Sequence, residues 1–166
     1  MEREARMSDV TIRIATQADL SELYRLLQAK ASFDGESDAL TASESELGAA
    51  AFSAAPPVEF LLAELSGRPV GFAAYYPVFS TFAARPGLWM DDLFVEEDQR
   101  GHGLGLQLLK VLAAEASRRG CCKLEWSVQT SNRRGIAFYE REGAVVREEN
   151  RFAKLDEKGI ARLLLP

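Results

Sequence analysis

The sequence predicts an α/β fold with a mixed sheet, on three observations. Stretches of alternating apolar and polar residues are interleaved with stretches of helical period. Phe60–Leu65 and Val70–Tyr76 flank Ser66-Gly67-Arg68-Pro69, a hairpin, which requires an antiparallel pair. An apolar strand over Leu88–Val95 is followed by a glycine turn, an amphipathic helix and a further alternating stretch over Lys123–Gln129, a crossover that requires a parallel pair.

In chain order, Met1–Arg6 is short, charged and without periodicity, and reads as part of a flexible leader over residues 1–9, with Met7 as an alternative start. Residues 10–166 form one expected domain, in keeping with a chain of 166 residues. Val10, Ile12 and Ile14 alternate as a strand. Thr16 is a helix cap, after which Leu20, Leu23, Tyr24 and Leu27 share one face. Ala31–Ala42 is polar and reads as a loop. The overlapping boxes Thr41–Glu44 and Ser43–Glu46 start a second helix, which must end before Pro56-Pro57. Pro77–Gly87 reads as a second loop. Leu106, Leu108, Leu109, Leu112, Ala113 and Ala116 recur at helical spacing, and Gly120 stops that helix. Ile136–Glu142 reads as a short helix ended by Gly143. Val145-Val146 and Arg151–Leu155 are further expected strands, and an apolar tail closes the chain.

Composition narrows the function. Hydrophobic residues make up 47% and charged residues 27%, ordinary for a globular protein. A net charge of −5 gives no footprint for nucleic acid and suits a cationic substrate. No apolar run is long enough for a bilayer span and no signal-peptide pattern is present, so the expected partners include no membrane and the default location is cytoplasmic. Cys121 and Cys122 are adjacent, which is not a spaced disulfide framework, and with His102 as the single histidine the usual zinc spacings do not occur. No metal is expected.

The chemistry concentrates in Asp91–Ala116. Leu93-Phe94-Val95 runs through four acidic or amide residues into Arg100-Gly101-His102-Gly103-Leu104-Gly105, and a helix follows directly. Glycines allow positive φ and close approach of a ligand to the main chain. The first N–H groups of a helix have no partner within it and lie at the positive end of its dipole, which suits an anion such as a diphosphate. The dinucleotide fingerprint needs a third small residue where Leu106 stands, and the nucleoside triphosphate loop needs a Gly-Lys-Ser/Thr that is absent. By itself the motif is also compatible with a turn that only reverses the chain.

A second segment decides between these readings. Asn132-Arg133-Arg134-Gly135-Ile136-Ala137-Phe138-Tyr139-Glu140-Arg141-Glu142-Gly143, together with the Arg-x-x-Gly-x-Gly turn upstream, resembles the GNAT acetyltransferase superfamily. Ile12–Asp19, Val70–Tyr76 and Asp91–Val95 are similar to its diamine branch, which includes spermidine/spermine and thialysine acetyltransferases. The resemblance covers Val10 to about Leu155. It implies a mostly antiparallel twisted sheet with helices on both faces, a homodimer, and transfer of an acetyl group from acetyl-CoA to the primary amine of a small cationic substrate in a ternary complex.

The resemblance also implies residue roles. The main chain of Leu93, Phe94 and Val95 holds the pantetheine arm and thioester. Arg100, Gly101, His102, Gly103, Leu104, Gly105 and Leu106 hold the pyrophosphate. Asn132 bonds the cosubstrate near the pantetheine, and Tyr139 lies by its sulfur as general acid. Asp91 stands where that branch usually has Glu, one methylene longer, as base or water relay. Asp92 attracts the substrate ammonium, and Glu149 faces the substrate. After Glu149 the chain reads Asn150-Arg151 without the nearby Trp of that branch, which argues against a long polyamine. Adjacent strand residues point to opposite faces, so one of Asp91 and Asp92 faces the substrate unless a bulge intervenes. Other acceptors compatible with the residues are a protein N-terminus, an amino acid or an aminoglycoside; a non-catalytic acyl-CoA sensor is the reading from another class.

Overall fold

A computed structural model describes residues 10–165; the expected leader over residues 1–9 lies outside the described residues. The chain separates into two compact units that meet in sequence at Ser127/Val128.

The first unit carries the sheet. Strands β1 (Val10–Ile14), β2 (Glu59–Leu65), β3 (Arg68–Ser80), β4 (Arg85–Val95) and β5 (Leu124–Glu125) lie in that order, with antiparallel pairs throughout except for the parallel pair β4/β5. Its helices are α1 (Leu20–Phe33), α2 (Glu44–Ala51) and α3 (Leu104–Arg118). Local sequence accounts for their limits. Thr16 and Asp19 form a capping box on a short 3-10 turn that leads into α1. Ser43 and Glu46 form another at the start of α2. Gly120, with φ of 68°, ends α3. The β2–β3 turn uses Ser66 and Gly67, both with positive φ, the geometry that matches strand twist in a tight hairpin.

The period of two along the strands divides the core. Phe60, Leu62, Phe72, Ala74 and Phe94 turn to one face, against Leu23 and Leu26 of α1 and Ala51 of α2. Leu61 and Tyr75 turn to the other face, where they line a groove with Val111 and Ala114 of α3. Arg13 ties β1 to its surroundings through Asp19 at 2.7 Å and Glu64 at 2.6 Å.

Several expectations change. The predicted loop over Pro77–Gly87 is mostly strand, because β3 and β4 pair up to Ser80↔Arg85. Beyond Tyr75, β3 has no partner on its β2 side, so Pro77 costs no ladder bond there. The strand predicted over Lys123–Gln129 shortens to Leu124–Glu125. Among the described residues no strand forms after β5, and the stretches at Val145-Val146 and Arg151–Leu155 are irregular, with Val145 and Phe152 exposed. Alternating apolar residues make a strand only where a sheet edge accepts their main-chain bonds.

The second unit contains α4 (Arg133–Arg141) and α5 (Glu157–Leu163), each capped by its own side chain. The apolar tail, for which the sequence indicated no element, contributes to α5, whose start is capped where the Asp156 carboxylate accepts from Gly159 N–H at 2.8 Å. Among the described residues no helix is long and apolar enough to cross a membrane.

Gly71 gives a direct test of the packing behind β4. A Cβ there would lie 2.7 Å from the Phe94 carbonyl oxygen, a backbone atom that cannot swing aside. Gly71→Ala is expected to cost about 1–3 kcal/mol, as overpacking does, read as a lower midpoint in urea unfolding.

Candidate active site

The site begins where β4 loses a neighbour. β4 pairs with β5 only at Leu88↔Leu124 and Trp89↔Glu125, whereas its pairing with β3 continues to Val95. Among the described residues no strand pairs with Met90–Val95 on the β5 side, which makes this stretch an open edge. The Glu96 N–H donates to the Val70 carbonyl at 2.9 Å, which sets the phase of the β3/β4 ladder. Main-chain groups alternate in direction along an antiparallel strand. Phe94, two residues earlier, thus bonds toward β3, and the N–H and C=O groups of Leu93 and Val95 face the open edge. The Val95 carbonyl accepts from Arg100 Nε at 2.8 Å on that side, as this phase requires.

A β-bulge marks the same place. Ala74 pairs with Asp92 and Tyr75 with Met90, so Asp91 is an extra residue with no partner in β3. A bulge bends its strand and breaks strict alternation. Here it turns β4 just after its last contact with β5, and it overrides the expectation that Asp91 and Asp92 point apart. Asp91 is exposed, and its Oδ1 accepts from Trp89 Nε1 at 3.3 Å. Burial first, then the Asp91 carboxylate beside it, holds the Tyr76 phenol above its usual range.

Asp92 is largely buried. Burial pushes its carboxyl up, Lys30 opposes this, and Asp91 and Asp34 add to the rise. Lys30 Nζ lies 2.9 Å from Asp92 and 2.6 Å from Asp34. Burial works against its charge, yet Asp34 and Asp92 together hold the ammonium above its ordinary value.

Next comes the glycine turn. Gly101 and Gly103 have φ of 83° and 80°, and a Cβ on either would meet nothing within 4 Å. Backbone conformation, rather than crowding, calls for glycine here, and the space over the turn is open. Gly103 is the N-cap of α3 and has no side chain to close it. Ser43, Asn132 and Asp156 close α2, α4 and α5 with an oxygen. The contrast leaves the first amides of α3, at Leu104, Gly105 and Leu106, without a side-chain cap. His102 is half-buried in the turn. The Arg100 guanidinium stacks 4.1 Å over the Phe33 ring while its Nε holds Val95, which fastens the turn to β4 and α1.

In the second unit, Asn132 Oδ1 accepts from Gly135 N–H at 2.9 Å and caps α4. A Cβ at Gly135 would lie 2.6 Å from Asn132 Nδ2, so the glycine makes room for the cap. The cap uses the oxygen of that side chain and not its amide donors. Tyr139 is buried, its ring centroid 5.1 Å from that of Phe138. Glu149 is exposed, 3.9 Å from Arg147.

Lys30, Phe33, Tyr76 and Trp89 are site neighbours that sequence reasoning did not single out. The i,i+4 spacing of Lys30 and Asp34 was a legible signal of an ion pair. No local pattern announces the contact of Lys30 with Asp92.

Known proteins place this arrangement. The sequence pattern described as "Acetyltransferase (GNAT) family" matches residues 20–144. The thialysine N-epsilon-acetyltransferase of Bos taurus is 32% identical over 146 residues, covering 83% of this chain and 85% of the relative. An L-ornithine N5-acetyltransferase of Arabidopsis thaliana is 26% identical, covering 87% of this chain and 83% of the relative. Among solved structures, an integron cassette protein from V. cholerae aligns with a TM-score of 0.77 at 28% identity, over 93% of this chain and 97% of its own. An open strand edge beside an uncapped, glycine-led helix, carried on a sequence that matches the family pattern over most of its length, shows that the chain belongs to the GNAT acetyltransferase family and is an acetyl-CoA-dependent N-acetyltransferase.

Proposed function

We propose that the enzyme acetylates the primary amine of a small cationic molecule, a diamine, polyamine or lysine analogue, by direct attack within a ternary complex. The observation that carries this reading is the bulge at Asp91, which sets an exposed carboxylate on the strand whose open edge runs on to Val95. The names of the relatives, which act on thialysine and ornithine, support the same class of acceptor. Both compact units are read as parts of one acetyltransferase domain, since the family pattern runs across both. A homodimeric, cytoplasmic enzyme belongs to the same proposal, by family resemblance.

The residues fit the cosubstrate. Coenzyme A carries a diphosphate, and the side-chain-free start of α3 offers it the amides of Leu104, Gly105 and Leu106 across the open turn at Gly101–Gly103. Its pantetheine arm contains amides, which the N–H and C=O of Leu93 and Val95 would continue as a strand does, with Phe94 bonded behind them to β3. Arg100 serves by holding the turn against Val95 and Phe33, besides any contact with phosphate. Asn132 retains amide donors for the cosubstrate. Acetyl-CoA supplies an activated acyl group; the chain must supply a neutral nucleophile and a proton for the leaving thiolate.

An alkyl ammonium has a pKa of about 10.4 and arrives charged. In the proposed reaction Asp91 takes its proton, directly or through one water. The nitrogen then attacks the thioester carbon, a C–N bond forms, and the oxyanion is met by a main-chain N–H of the open edge. Collapse breaks the C–S bond, the thiolate takes the Tyr139 phenolic proton, and the second proton of the attacking nitrogen passes to the Tyr139 oxygen, which leaves a neutral amide and a restored phenol. The shorter Asp in place of Glu is accommodated by the bulge or by the relayed water. Asp92 and Glu149 add negative charge for the incoming cation.

Purified enzyme, acetyl-CoA and a panel of amines with thiol-release detection test this. We expect release with small cationic amines, and initial-rate plots that intersect, as a ternary complex requires. Heat of acetyl-CoA binding with no thiol release on any amine would instead support an acyl-CoA sensor.

A further inference from the structure

We propose that Lys30 is a resident ammonium filling one cation position of the acceptor site, so that the enzyme favours acceptors of single net positive charge over diamines. The inference rests on the reading of the Asp91 corner as the acceptor site and narrows its substrate class.

Asp34 at the end of α1 and Asp92 on β4 converge on Lys30, and Asp91 stands next to Asp92 on the same strand. The Lys30 Nζ sits 2.6 Å from Asp34 and 2.9 Å from Asp92. The side chains of Lys30, Asp34 and Asp92 are 25%, 24% and 18% exposed, so the triad is shielded from bulk water and screened less than a surface pair. Lys30 also occupies the last turn of α1, where the helix dipole favours a cation. Asp34 and Asp92 are thereby neutralised in part from within the chain. Asp91, exposed and met by the Trp89 indole at 3.3 Å and the Tyr76 hydroxyl rather than by Lys30, is the carboxylate left for the substrate nitrogen.

The distal group of the acceptor then meets an ammonium. A second substrate cation is repelled by Lys30, as like charges at an interface are. A carboxylate near that cation cancels the repulsion, and Lys30 has three N–H donors of which its two partners need two. Lysine and cadaverine make a matched pair of probes, because they share the spacing between nitrogens and differ by one carboxylate.

The test compares kcat and KM for lysine and cadaverine, with acetyl-CoA, in the wild type, Lys30→Met, Lys30→Arg and Asp92→Asn. Lys30→Met is expected to raise kcat/KM for cadaverine relative to lysine by about tenfold, mainly through KM, since a freed pair of carboxylates then accepts the second ammonium. Lys30→Arg should keep the wild-type ratio. Asp92→Asn should move the ratio the other way, and it decides the matter if Lys30→Met does not fold. Equal loss on both substrates in Lys30→Met, with an unchanged ratio in Asp92→Asn, would reduce Lys30 to a structural tie and overturn the proposal. Acetylation by the wild type with an immovable ratio defeats the role of Lys30 alone. Thiol release with no amine in the wild type defeats the acceptor reading, and this proposal with it.

Discussion

Tyr139→Phe is expected to lower kcat by about a hundredfold, within the range that a positioned proton donor contributes, while acetyl-CoA affinity stays near that of the wild type. The substitution keeps the ring that packs at 5.1 Å from Phe138 and removes only the hydroxyl. The helix that carries it is held by the Asn132 cap, which is untouched. On the proposed mechanism, what is lost is the proton for the departing thiolate, and that need arises after the cosubstrate is bound. Single-turnover thiol release reads the chemical step, and calorimetry with acetyl-CoA reads binding. A variant that releases thiol at the wild-type rate would remove Tyr139 from the proton path. A loss of affinity with kcat preserved would make it a binding residue.

Asp91→Asn should lower kcat/KM at neutral pH by roughly 10²- to 10⁴-fold, the scale of a general base. The amide keeps the size of the side chain and an oxygen for the Trp89 indole, so the bulge is retained. The sign of the pH dependence follows from the substrate. Its ammonium titrates near about 10, so raising the pH supplies free amine without help from the enzyme. The deficit should therefore shrink steadily as pH rises toward that value. The wild type, with Asp91 as the proposed base, should gain less over the same range. A deficit constant with pH would assign Asp91 to electrostatic binding of the cation rather than to proton removal, and a matching rise in KM would identify that role.

The clearest parts of the sequence were those whose physics is local. A cap needs only a side-chain oxygen three residues before an amide, and Ser43–Glu46 forms where the residues indicate, whereas the Asn132 cap on Gly135 starts its helix at Arg133, earlier than the expected Ile136. Positive φ at Gly101 and Gly103 is a property of the turn itself. The hairpin at Ser66-Gly67 and the parallel crossover into Leu124 were legible for the same reason. Less legible were features set by register. Asp91 becomes a bulge only because Ala74 and Tyr75 choose Asp92 and Met90 as partners. Local alternation says nothing about that choice. The apolar residues near Val145 and Phe152 read as strands by pattern and are not strands, since a ladder needs a neighbour as well as a period.

From the sequence alone came the chemistry on offer: a glycine turn at the head of a helix, a phenol in the Asn132–Gly143 segment, adjacent carboxylates on a strand, and the family that combines them. Only the tertiary structure decided how those groups are engaged. It opened the β4 edge at Leu93 and Val95, folded Arg100 back onto Val95 and Phe33, and joined Lys30 to Asp92 across the chain. The physical reason is range. Caps, turns and periods are settled between near neighbours, whereas pairing partners, burial and ion pairs are settled when distant segments compete for the same sheet edge and the same charge.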